Sequence, residues 1–161
     1  NQMSDFRKNK FTKKIISLNP NKTLWTYGLF LPMFTIWLRH VGLYAIEANG
    51  RDSKFFNYLS AILIGYIFVI FIIPIGLFIY GIEIPEFAHL AVPFIFFGIW
   101  FTCNGIVSRN MIDLENKDNE YFGGVAKLRD YVFRFFHLFY FTFSIYLLQK
   151  DVNKYNKDSN S

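Results

Sequence analysis

The chain has 161 residues, of which 53% are hydrophobic and 21% aromatic, and it carries a formal net charge of +5. Long uncharged apolar runs commit most of that length to a bilayer and leave little for a soluble catalytic domain. The basic excess sits beside the first apolar segment rather than in a separate module, which argues against nucleic acid as a partner. The lone Cys103 excludes an intrachain disulfide and a thiol redox pair.

Residues 1–23 form a basic polar arm. Arg7, Lys8, Lys10, Lys13, Lys14 and Lys22 lie within reach of a membrane surface, where each basic residue gains about 1 kcal/mol against anionic headgroups. These six are the candidate lipid-headgroup contacts. The turn signal Asn19-Pro20-Asn21 ends the arm, and a first span is expected over 24–46. Along it Gly28, Pro32, Thr35, Arg39 and Gly42 recur at spacings of 4, 3, 4 and 3, a single stripe on a helix. Small and polar residues in such a stripe let a neighbouring helix approach closely where lipid supplies no driving force. Gly28, Pro32, Thr35 and Gly42 are therefore the expected packing positions, with Arg39 turned toward protein.

Residues 58–80 are an uninterrupted apolar run of 23 residues. At about 1.5 Å per residue it is long enough to cross a hydrocarbon layer of about 30 Å. Pro74 within it predicts a kink. The short connection Gly81-Ile82-Glu83-Ile84-Pro85-Glu86 makes the next span, 87–107, its antiparallel neighbour, with Gly81 closing one helix and Pro85 and Glu86 opening the other. A polar segment, 108–127, follows as a surface helix or ordered loop. A last span is expected over 128–149, before a polar tail at 150–161.

The fold class read from this pattern is all-α, a polytopic membrane bundle of four or three transmembrane helices, with the bundle over 24–149. Four spans with the arm inside place nine basic residues inside and six outside. If 24–46 does not cross, the count becomes thirteen against three, which the positive-inside rule prefers. Length and the stripe favour four; charge favours three.

The last span carries the most polar face. Asp130, Arg134, His137 and Ser144 share it, and with Arg39 and His40 they are the candidate intramembrane polar or ion-path residues. His40, His89 and His137 each lie in or at the edge of a span, and two imidazoles on facing helices can ligate a haem iron. No spacing here specifies haem, and hydrogen-bonded interfacial histidines are the ordinary outcome. No grouping suits zinc, no triad surrounds Ser60, Ser108, Ser144 or Cys103, and no glycine-rich phosphate loop is present. Catalytic and metal-binding residues are accordingly expected to be absent.

The expected function is that of a non-catalytic accessory subunit of a larger membrane complex, respiratory or otherwise energy-converting, with bound phospholipids. Its expected partners are the bilayer and other subunits or copies of itself. A mitochondrial inner membrane or a bacterial cytoplasmic membrane suits the basic arm. The alternatives are a homo-oligomeric ion or proton pore, and an electron-transfer anchor carrying haem b.

Overall fold

Proline and glycine decide where the amino-terminal helices start and stop. The computed structural model describes residues 10–28, 30–81, 83, 85–119 and 141–158, and every regular element among them is a helix. Helix α1 covers Lys10–Ile16 and α2 covers Pro20–Tyr27. Asn19 caps α2, its side chain accepting the Asn21 N–H at 2.9 Å, and Pro20 fills the first turn, where a missing N–H costs nothing.

The expected span over 24–46 is two helices. Helix α2 ends at Gly28, Phe30 is extended (φ −134°, ψ 122°), and α3 runs Leu31–Ala48 with Pro32 in its first turn. The cause is Pro32 itself. In a helix continuing from Leu24 it would remove one hydrogen bond and drive its ring against the carbonyl four residues earlier, that of Gly28.

Helix α3 closes with two hydrogen bonds, from the Gly50 N–H to the Glu47 carbonyl at 2.9 Å and from the Arg51 N–H to the Ile46 carbonyl at 3.1 Å. Gly50 supplies the left-handed residue this closure requires, at φ +72°. The chain then reverses, and α4 runs Lys54–Tyr80. Its 27 residues continue through Pro74 and rise about 40 Å. Gly81, at φ +65°, leads to α5, Glu86–Asn119, which passes through Pro93. Residues 108–119, expected in a polar loop, are thus the continuation of α5. The last described helix, α6, covers Phe141–Asp158 and carries helix well past 149 into the expected polar tail.

Helix α3 is the hub. It packs against α1, α2, α4 and α5, while α6 lies on α2 and α1. The core gathers Phe34, Trp37, Leu38 and Val41 of α3 with Leu63 and Ile67 of α4 and Trp100, Cys103, Val107 and Met111 of α5. Ile15 and Ile16 of α1 and Leu148 and Val152 of α6 extend it. Burying a large apolar side chain of this kind stabilises by about 1.5–3 kcal/mol. The arm is therefore not free from Lys10 onward; its apolar side joins this core.

Gly42 sets how tightly the hub closes. A Cβ there would overlap the Phe56 ring and lie 2.7 Å from Val107 Cγ2, so α4 and α5 both meet α3 at its bare backbone. Farther along, Leu31 lies beside Ile67, Ile70, Val92, Pro93 and Phe96 around an apolar cleft of about 220 Å³. The Tyr66 hydroxyl donates to the Val92 carbonyl at 2.9 Å at the same level and ties α4 to α5. Helix α3 starts there, and α4 and α5 go on without it.

Among the described residues two helices are long and apolar enough to cross a membrane, Lys54–Leu77 in α4 and Ala91–Asn116 in α5. Of an apolar window of 18 residues within each, only 18% and 28% is buried. Phe68, Val69, Ile72, Ile73, Ile75 and Ile79 stand exposed on α4, and Phe87, Phe94, Ile95 and Phe97 on α5.

Candidate interaction surface and its polar collar

The polar side chains concentrate where α3 hands over to α4 and α5 passes beside them. Antiparallel packing brings Asn110, on α5, to this corner, where the Asn49 side-chain amide donates to its carbonyl at 2.7 Å. Arg51 Nη1 donates to Asn110 Oδ1 at 2.9 Å and pairs with Asp113 Oδ2 at 2.6 Å. Asn110 in turn is held by its own helix, donating to the Ile106 carbonyl at 2.8 Å. Ser53 donates to Glu47 Oε1 at 3.1 Å, and Asp52 accepts the Lys54 N–H at 2.9 Å at the start of α4. The result is a collar of paired groups around one end of the apolar hairpin.

Deeper along α3, Arg39 donates to Asn57 Oδ1 at 2.6 Å, a neutral partner for a half-buried cation. His40 is buried, and its Nδ1 shares a hydrogen bond of 2.9 Å with the Thr12 hydroxyl of α1. The Phe11 ring stands edge-on to the imidazole at 5.0 Å. These contacts dock α1 on α3 and leave Lys10, Lys13 and Lys14 exposed on its outer side.

Gln149 holds the other side of the core. Fully buried on α6, it accepts the Trp37 indole N–H at 2.8 Å and donates to the Ile15 and Ile16 carbonyls at 3.1 Å each. Those carbonyls end α1, and that of Ile15 also accepts the Leu18 N–H at 3.2 Å. Asn153, one turn on, donates to the Leu18 carbonyl at 2.9 Å.

Of the expected packing positions, Gly42 lies at the three-helix contact and Gly28 closes α2. Pro32 opens α3, and the buried Thr35 hydroxyl donates back to the Pro32 carbonyl at 2.7 Å. Arg39 and His40 are adjacent but take separate partners, Asn57 and Thr12. Lys22 is exposed on α2, while Arg7 and Lys8 lie outside the described residues. Asp130, Arg134 and His137 lie outside them as well; Ser144 falls in the first turn of α6.

Leu31 and Val92 line the same cleft, and His40 lies nine residues along α3 from Leu31, about 13 Å away from that level. His89 lies on α5 one turn before Val92. Among the described residues no three His, Cys, Asp or Glu side chains gather as metal ligands would.

Sequence reasoning missed the Arg51–Asn110–Asp113 cluster and the Gln149 bridge. The second carried a signal: Ile145, Leu148 and Val152 follow a helical period, and Gln149 is a polar residue placed on that apolar side. Comparison of the chain with models of known protein families, with curated proteins and with solved structures finds no match.

Proposed function

We propose that this chain is a non-catalytic accessory subunit of a larger membrane assembly, anchored by an α4–α5 hairpin that crosses the bilayer. The observation that carries the reading is the bare apolar surface of those two helices beside a fully occupied hub. Monomeric soluble proteins rarely expose contiguous apolar patches beyond a few hundred Å². Here Phe, Ile and Val side chains stand outward along both helices. A bilayer and the helices of neighbouring subunits are the surroundings such a surface suits.

Charge supports the same orientation. Arg51, Lys54 and Arg109 lie at one end of the hairpin, whereas the connection at the other end carries Glu83 and Glu86 and no cation. The positive-inside rule places the Arg51 end on the inner face of a bacterial cytoplasmic or mitochondrial inner membrane. In this reading α3, broken from α2 at Pro32 and enclosed by its neighbours, braces the hairpin and is not a lipid-facing span. Among the described residues the crossing segments are then α4 and α5; most of the span expected over 128–149 lies outside them.

A structural role also fits where the polar groups are spent. Arg39, His40, Glu47, Arg51 and Gln149 each take a partner within the chain, holding helices together. The test is purification of the chain from its native membrane in mild detergent. Stoichiometric companion subunits are expected, together with loss of their assembly when the chain is deleted. A chain that purifies alone, and whose deletion leaves every membrane complex intact, would refute the role.

A further inference from the structure

At the level where α4 begins, a cleft of about 350 Å³ opens between α4 and α5. Its wall is apolar, formed by Phe55, Phe56 and Ile106, while Arg51, Asp52 and Arg109 stand around it. Arg51 has one nitrogen committed to Asn110 and Asp113, so its position is fixed and its charge largely offset. Arg109 is exposed and takes no ion pair or hydrogen bond among the described residues. Asp52 uses one oxygen to cap α4, and the other takes no hydrogen bond among the described residues. Arg109 and Asp52 thus line one cleft with opposite charges and form no ion pair with each other.

A cation and an anion held apart across a partly apolar cleft complement a ligand that is itself dipolar. We propose that this cleft binds the headgroup of a phospholipid carrying a primary ammonium, with the phosphate on Arg109 and the free face of Arg51 and the ammonium on Asp52. Guanidinium is the side chain best shaped for phosphate oxygens. A carboxylate only accepts hydrogen bonds, so it favours an ammonium with N–H donors over a quaternary one. Exposed Phe55 and Tyr58 continue from the cleft along the outer side of α4, giving the acyl chains an apolar path that a soluble phosphate would not use.

The inference rests on the hairpin crossing a bilayer, and the experiment separates the two. Purified protein is first floated with phosphatidylcholine vesicles; failure to float overturns the crossing and this site with it. Protein that floats is moved into mild detergent with equal amounts of phosphatidylethanolamine, phosphatidylcholine and phosphatidylglycerol, and retained lipids are counted by native mass spectrometry. Phosphatidylethanolamine is expected to be retained about tenfold over the other two. Arg109→Gln should lower that retention about tenfold. Asp52→Asn keeps an acceptor for the Lys54 N–H and should abolish the preference over phosphatidylglycerol. Equal retention of all three lipids, or variants that hold phosphatidylethanolamine as the parent does, overturns the site while leaving the crossing intact. Displacement by free phosphoethanolamine at the concentration at which the lipid itself competes would assign the cleft to a soluble phosphate and overturn the lipid assignment.

Discussion

Helices α3 and α4 lie side by side and live in opposite surroundings. Thirteen of the 18 residues of α3 are buried, among them Thr35, His40 and Glu47, whereas the more uniformly apolar α4 shows most of its surface. If water surrounded the molecule, the oilier helix would be the one enclosed. The reversal teaches that in this chain burial follows packing detail: a glycine at the contact and polar groups that need partners. Apolarity marks what faces outward.

That contrast is sharpest at glycine. Gly42→Val should cost about 3 kcal/mol or more, because Phe56 and Val107 are buried and cannot withdraw. Gly65→Val, on the open side of α4 where nothing lies within 4 Å of the added Cβ, should change stability by about 0.5 kcal/mol or less. Thermal unfolding in detergent, followed by the fluorescence of buried Trp37 and Trp100, measures both. Equal effects would erase the distinction between hub and hairpin.

Phe68→Lys tests the other side. At the middle of a crossing helix a lysine costs about 2.5–3.5 kcal/mol, so the carbonate-resistant membrane fraction should fall sharply. A water-facing position would tolerate the change within about 0.5 kcal/mol and gain solubility.

Gln149→Leu should destabilise by about 2 kcal/mol, since it strands the Trp37 N–H in the core and takes a donor from the Ile15 and Ile16 carbonyls. Its signature is release of α1, read as faster proteolysis after Lys13 and Lys14. Thr12→Val is milder than Gln149→Leu. It removes the partner of His40 Nδ1 at the edge of the core and should cost about 1 kcal/mol without releasing the hairpin from the membrane.

The helices that face outward were the legible ones. An all-round apolar run such as 58–80 needs no knowledge of its neighbours, and α4 covers it with four residues to spare at its start. The single helix expected over 24–46 divides because Pro32 was read as one member of a stripe, when its stronger effect is local and falls on the Gly28 carbonyl. The end of α5 was obscured by charge. The segment Ser108–Asn119 looks like a loop by composition, yet Val107, Met111 and Leu114 follow the helical period and are buried, and neither Gly nor Pro interrupts it. The Arg51–Asn110–Asp113 cluster could not be read at all, because it joins residues about 60 positions apart through a register that only the packed helices define.

The bridge from Gln149 to the carbonyls of Ile15 and Ile16 spans more than 130 positions of chain. During synthesis α1 therefore emerges long before this partner exists, with Ile15 and Ile16 bare. The hairpin of α4 and α5 has left the ribosome by the time α6 appears. Folding of this chain thus has an order built into it: α4 and α5 are made before α6, and the amino-terminal segment is sealed only when α6 arrives to lock it down.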